Sequence, residues 1–211
     1  MIKMQVKYQE RYSRVELLAR NLLGFFYIVL PHTFILSFLA IWSQIISFIS
    51  FFVILFTGRY PESFFEFNVQ YLRWNWRVNA RIFNLCDGYP AFGLDAQDEY
   101  TVFEVEYPQQ FDRVHALIKF LFGWLYCVLP HAFILMFRGI ATQVLVFIGF
   151  WAILFTGECP QFIHDFNVGT MRWSTRLNLY LMFMTDQYPP FSGKELGGNT
   201  ASNVLDMPVE K

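Results

Sequence analysis

Charge is what this sequence has least of. Only 16% of its 211 residues are Asp, Glu, Lys or Arg, against about 25% in a typical soluble domain. The formal net charge is -1, so the chain offers no sustained field to steer nucleic acid, and no basic stripe accompanies a nucleic-acid-binding motif. Nucleic acid is therefore excluded as a partner. Cysteine is equally sparse. Cys86, Cys127 and Cys159 are odd in number, lack CxxC spacing and read as unpaired, space-filling thiols. No GxSxG, P-loop, GxGxxG, HExxH or paired His/Cys motif occurs, and ionisable residues lie largely outside the apolar runs, where an intramembrane ion path would need them. An enzyme, a cofactor and a metal are accordingly not expected. The first apolar run is too long for a signal-peptide core and lacks a small-residue cleavage site, so no cleaved leader is expected.

Aromatic and aliphatic side chains fill the space that charge leaves. The chain is 55% hydrophobic and 20% aromatic, with 26 Phe, 11 Tyr and 6 Trp. One small soluble core does not need so many rings, whereas a lipid-facing surface and its interfacial belts accept them readily. Lipid is the expected solvent.

A tandem duplication organises the rest. Leu30-Pro31-His32 recurs 99 residues later as Leu129-Pro130-His131, and the same offset holds without a gap from Tyr8/Tyr107 to Phe92/Phe191, with 37 identities in 85 aligned positions. Self-similarity of this kind outranks every other signal. It divides the chain into repeat one (1–98), repeat two (99–192) and a Gly, Ser, Asn and charge-rich tail (193–211) expected to be disordered. Each repeat opens with a short alternating segment, Met4–Tyr8 or Val102–Tyr107, that reads as a strand. A mixed helical segment (Arg14–Gly24, Arg113–Gly123) and a long apolar run follow. Thr57-Gly58 and Thr156-Gly157 end the apolar runs, and Pro61 and Pro160 are placed to begin a second helix. Asp87-Gly88-Tyr89-Pro90 and Asp186-Gln187-Tyr188-Pro189 then break the chain again.

The uncharged run Leu22–Phe56 is too long for one span of roughly 20 residues and short for two. Either Pro31 breaks it and only Phe34–Phe56 spans, or Pro31 kinks it and a turn near Ala40–Gln44 makes a hairpin. Lys3, Lys7, Arg11, Arg14 and Arg20 precede the run, and Arg59, Arg73, Arg77 and Arg81 follow it. The positive-inside bias puts both clusters on one face and favours the hairpin, spanning or re-entrant. Both repeats then share one orientation, about an axis along the membrane normal. The second helix alternates an Arg-bearing stripe with a Phe/Trp/Val stripe, which suits a headgroup-level interfacial helix.

The run Thr57-Gly58-Arg59-Tyr60-Pro61, the Asn68-Val69 pair, the Arg73-Trp74 and Arg77-Val78 steps and the Asp87-x-Tyr89-Pro90 end, with their echoes in repeat two, resemble an uncharacterised family of bacterial membrane proteins known as a domain of unknown function. The resemblance covers nearly all of the chain before the tail. It implies a bacterial inner-membrane location and carries no activity.

Candidate functional residues follow from the repeat. Arg73, Trp74, Arg77, Arg172, Trp173 and Arg176 suit lipid phosphates, a protein partner or intramolecular pairing. Pro31-His32 and Pro130-His131 suit a structural kink, with metal or haem ligation by the two histidines as the less favoured alternative. Asp87 and Asp186 are turn residues or acceptors for an arginine of the helix before them. Asn68, Asn79, Asn167 and Asn178 can bridge helices, and Gln44 and Gln143 can cap the expected turn. The sequence thus points to an all-α, multi-pass membrane protein with short β segments and cytoplasmic termini. Its expected role is a non-enzymatic scaffold or accessory subunit whose partners are membrane lipids and a membrane protein complex. A lipid- or solute-binding cleft between the repeats is the alternative.

Overall fold

The computed structural model describes residues 2–195. Its elements are β1 (Ile2–Val6), α1 (Arg14–Gly24), α2 (Leu30–Thr57), α3 (Glu62–Ile82), β2 (Thr101–Val105), α4 (Arg113–Gly123), α5 (Leu129–Thr156) and α6 (Gln161–Leu181), with π-helical turns Phe25–Val29 and Trp124–Val128 joining α1 to α2 and α4 to α5. The order β-α-α-α therefore occurs twice, as the duplication requires.

The hairpin expected inside each apolar run is absent. Arg14–Thr57 and Arg113–Thr156 are each one continuous helix of 44 residues, long and apolar enough to cross a membrane. The reason lies at the prolines. A proline in a helix removes a hydrogen bond and pushes against the carbonyl four residues back. Here the preceding turn widens instead, with the Leu30 N–H donating to Phe25 O and the Leu129 N–H to Trp124 O, five residues back. The wide turn makes room for the proline ring without breaking the run. Ser13 caps the first long helix through Glu16 N, and Asp112 caps the second through Val114 N and His115 N. Gly58 (φ 73°) and Gly157 (φ 81°) end them in the left-handed conformation that only glycine enters at low cost.

The chain reverses at these glycines, so each repeat's helical hairpin is α2 with α3, or α5 with α6. Pro61 and Pro160 stand as N-caps, one position ahead of the first-turn position expected for them. Helix α3 runs back along α2, as the order of contacts shows. Ser43 Oγ donates to Asn68 Oδ1 (2.7 Å), and Trp74 Nε1 donates to His32 Nδ1 (2.8 Å). Polar side chains therefore face inward along α2: His32, Ser43, Ser47 and Ser50 are buried. Its outward stripe is aromatic and aliphatic, from Phe34 (64% exposed) through Ile41 and Phe48 to Phe56 (74%). Helix α5 repeats this inverted pattern, with His131 and Thr142 buried and Phe133, Ile140, Phe147 and Phe155 exposed.

The two repeats are joined about a pseudo-two-fold axis. Strands β1 and β2 pair antiparallel with Met4 opposite Phe103 at the centre, and those two residues are 99 positions apart, equivalent in the duplication. The axis passes through this pair. Two sets of flanking contacts are reciprocal: Tyr12 N donates to Gly157 O (2.8 Å) and Phe111 N to Gly58 O (3.0 Å), while Tyr8 Oη donates to Cys159 O and Tyr107 Oη to Tyr60 O. Each repeat's opening segment thus docks on the other repeat's glycine turn. The largest buried cluster runs through both, joining Met4, Phe51, Trp76, Phe103, Met171 and Leu179.

Candidate functional site between the repeats

The arginines and tryptophans of α3 and α6 point into the protein. Trp74 and Trp173 are buried, and each donates its indole N–H to a histidine of its own hairpin, Trp74 to His32 and Trp173 to His131, both at 2.8 Å. An indole can only donate, so each Nδ1 is the acceptor and a neutral ring carries its proton on Nε2. The Nε2 atoms are buried without a hydrogen-bond partner. They sit among rings supplied by the Asp-x-Tyr-Pro-x-Phe ends: Phe92 lies 4.9 Å from His32, and Phe191 stacks on His131 at 4.0 Å. That motif closes an aromatic cover over each histidine. The metal-ligand alternative fits poorly, because Nδ1 is occupied and Nε2 is protonated. Among the described residues no three His, Cys, Asp or Glu converge as a metal site.

The guanidiniums find carbonyls of their own chain. Arg77 binds Gly93 O and Ala96 O, and Arg176 binds Ser192 O (3.2 Å) and Lys194 O (2.7 Å), so each fastens the loop that follows its helix. Burial pushes the Arg176 guanidinium down to about 10, still charged at neutral pH, and lowers that of Arg77. Arg73 Nε donates to Phe103 O (3.1 Å) and Arg172 Nε to Met4 O (2.8 Å). Each therefore holds the other repeat's central strand residue. Of the readings open for these residues, intramolecular pairing describes their contacts.

Other polar candidates are placed differently from expectation. Asp87 receives Arg20 of α1 (3.4 Å), and also the Ser13 N–H (2.7 Å), in place of the α3 arginine that was one of its two readings; Lys119 of α4 fills the equivalent place beside Asp186 (3.5 Å). Arg81 instead forms a two-pronged pair with Asp98 at 2.6 and 2.9 Å. Burial works against the Asp98 charge, but hydrogen bonds from Arg81 and Thr101 and the nearby guanidiniums outweigh it and hold the carboxyl below its usual range. Burial pushes the Cys86 thiol up to about 12 and Cys159 up to about 11, as suits space-filling groups. Gln44 is exposed in mid-helix rather than at a turn.

The repeats do enclose a cleft. A cavity of about 420 Å³ lies between α3 and α6 on the pseudo-axis, lined by equivalent positions of both: Asn79 with Asn178, Asn75 with Ser174, Trp76 with Thr175. Ser43 and Gln44 of α2 complete the polar wall. At 100° per residue, Asn75 and Asn79 stand about 160° and 120° around α3 from strand-binding Arg73. These two amides therefore face away from the strands, while Trp76, also in the lining, reaches β1 through Gln5 O (3.1 Å). The cleft's polar groups are amides and hydroxyls, with no Asp, Glu, Lys, Arg or His in the lining. Asn79 and Asn178 were legible as polar helix residues, but Asn75, Ser174 and Thr175 were not singled out. The Leu72, Trp76, Asn79, Phe83 spacing, one helix face shared with Met171, Thr175, Asn178 and Met182, is the signal that would have found them.

Residues 21–93 and 118–193 both match the sequence model of a family described as Domain of unknown function (DUF4389). The chain belongs to this family. Two matches at equivalent places make the DUF4389 unit the repeat itself, spanning the long apolar helix, the α3-type helix and the aromatic cover. The strands and the segments that dock across the axis lie outside both matches, so the family unit is the hairpin. No curated protein and no solved structure matches the chain.

Proposed function

We propose that this protein is a non-enzymatic component of the bacterial cytoplasmic membrane that holds the uncharged polar part of a lipid or small solute in the cleft between its two repeats. One observation carries the reading: a polar, uncharged cavity on the pseudo-axis, enclosed by helices whose outer faces are aromatic and apolar. The inverted helices support the membrane location, since an exposed apolar stripe of this extent is unfavourable in water. The lining supports the ligand class. Amide and hydroxyl groups satisfy hydroxyl, amide or ester groups, whereas nothing there neutralises a phosphate or an ammonium.

Native mass spectrometry of gently extracted protein tests it. A co-purifying small molecule should be present on the wild type and lost when Asn79 and Asn178 are both replaced by Leu. Unchanged ligand content in that double variant would sink the proposal. The accessory-subunit reading remains the second choice, favoured by the exposed Phe and Trp faces of α2 and α5, which suit a partner helix as well as lipid. Co-purification of one defined membrane protein, with an empty cleft, would turn the choice round.

A further inference from the structure

We infer that the two 44-residue helices lie in the plane of the membrane and embed in one leaflet, crossing no bilayer. The inference rests on the membrane reading above and replaces the multi-pass topology expected from the sequence.

The argument is one of symmetry. A two-fold rotation leaves height along its axis unchanged, so Gly58 and Gly157, equivalent in the two repeats, are level. Tyr12 N donates to Gly157 O at 2.8 Å and Phe111 N to Gly58 O at 3.0 Å. Arg14 Nη2 reaches Phe155 O on the same turn. The start of each long helix is therefore level with the end of the other, and so with its own end. A helix whose two ends share one height makes no net progress along the axis over its 44 residues, and a bend at the π-helical turn Phe25–Val29 would make it dip and return rather than cross.

The axis must stand along the membrane normal. It passes through the Met4–Phe103 pair, flanked directly by Lys3 opposite Glu104. An axis in the membrane plane would bring these charged strands to the bilayer centre, where ionised groups and an open sheet edge are strongly disfavoured. A crossing α2 would also carry α3 with it, because the two run together from Ser43–Asn68 to His32–Trp74. Glu66, exposed on α3, would then face hydrocarbon. With the axis upright, the strands stand farthest from the lipid, α3 and α6 lie beneath them, and the apolar stripes of α2 and α5 form the underside. The partner surface is one leaflet, entered at the headgroup–acyl boundary as in-plane amphipathic helices do. Asn75 and Asn79 of the cleft, turned away from the strands, then face that leaflet.

Depth measured along α2 tests this. Phe34, Ile41, Phe48 and Phe56 are all exposed, so each can be replaced singly by Cys and spin-labelled in the full-length chain, with buried Cys86, Cys127 and Cys159 left in place. The variants are reconstituted in phosphatidylethanolamine–phosphatidylglycerol bilayers, and the collision ratio of oxygen to a water-soluble nickel complex gives depth. The expected result is four closely similar depths of roughly 5–10 Å. Depths that climb to a maximum in mid-helix and fall again across roughly 30 Å of hydrocarbon would overturn the inference and leave the membrane reading intact. Water-like accessibility at all four sites would overturn both.

Discussion

Asn68 and Asn167 are equivalent in the duplication and both fully buried, yet their surroundings have diverged. Asn68 Oδ1 accepts from Ser43 Oγ (2.7 Å), and its Nδ2 donates to Tyr60 Oη (2.9 Å). Repeat two has Thr142 and Cys159 at those positions, Thr142 donates to Thr170 instead (3.0 Å), and both amide atoms of Asn167 lack a partner. Replacement of each by Leu, which has the same number and branching of side-chain heavy atoms, should therefore act with opposite sign. Asn68→Leu removes these two bonds and a longer third one, from Nδ2 to Ser47 Oγ (3.4 Å), and takes a partner from the buried hydroxyls of Ser43, Ser47 and Tyr60. At about 1 kcal/mol per bond in water, or about 0.6 in a lipid-referenced state, plus part of the desolvation cost of the stranded groups, the loss is about 1.5–3 kcal/mol. Asn167→Leu removes an unpaired buried amide and should gain about 1–2 kcal/mol. At 2–4 °C per kcal/mol for a chain of about 200 residues, the midpoint should fall by roughly 3–12 °C for the first variant and rise by roughly 2–8 °C for the second. Thermal unfolding in one detergent, followed by far-UV dichroism, reads both. Destabilisation of similar size by the two variants would refute the reasoning, since it would mean that Asn167 is satisfied as well as its counterpart.

Gly58→Ala should cost about 1–2 kcal/mol in the same assay, because φ is 73° and the added Cβ would stand 3.4 Å from Arg113 Nε of the other repeat. Asp98 gives a pH dependence whose sign is fixed. Its folded carboxyl titrates below the unfolded one, so its contribution is fully present above the unfolded value of about 4 and is lost as pH falls through the folded value. Asp98→Asn should lower stability at pH 7 and flatten the acid limb below about pH 4; an unchanged acid limb would contradict the pairing with Arg81. Arg73→Ala and Arg172→Ala each free one carbonyl of the central Met4–Phe103 pair, at about 1 kcal/mol or somewhat more for a half-exposed charged donor. Because both losses fall on one two-stranded sheet, the double variant should cost less than the sum of the single ones, and strict additivity in a double-mutant cycle would show that the strand pair does not act as a unit.

What could be read from the sequence was whatever repeats. The 99-residue offset carries the Pro-His step, the Thr-Gly stop, the Arg-Trp step and the Tyr-Pro-x-Phe end, and these became the helix, its glycine cap, the histidine–indole bond and the aromatic cover over it. The turn expected inside the apolar run was misread because hydropathy cannot tell a proline that breaks a helix from one that a wide π-helical turn accommodates. A run of 35 uncharged residues fits neither one span nor two, and the in-plane arrangement inferred above would account for that misfit. The arginine stripe stayed open between lipid contact and intramolecular pairing because a one-dimensional pattern cannot distinguish a guanidinium facing lipid phosphate from one facing backbone carbonyls, and Arg77 has Gly93 O and Ala96 O within reach only after the loop folds back. Least legible were the contacts across the axis. Tyr8 and Tyr107, Arg73 and Arg172, and Gly58 and Gly157 recur as any duplicated residues would, and no sequence comparison says whether each meets its own repeat or the other. That exchange makes both hairpins depend on one strand pair. It also leaves the interiors free to diverge, as the surroundings of Asn68 and Asn167 have, while Tyr8, Gly58 and Arg73, which reach across, keep identical counterparts in Tyr107, Gly157 and Arg172. Selection for a shared cleft would leave that pattern, with Asn79 and Asn178 retained opposite each other and their neighbours Trp76 and Thr175 different in size. A cleft between the repeats whose two walls differ can take an asymmetric ligand in one orientation.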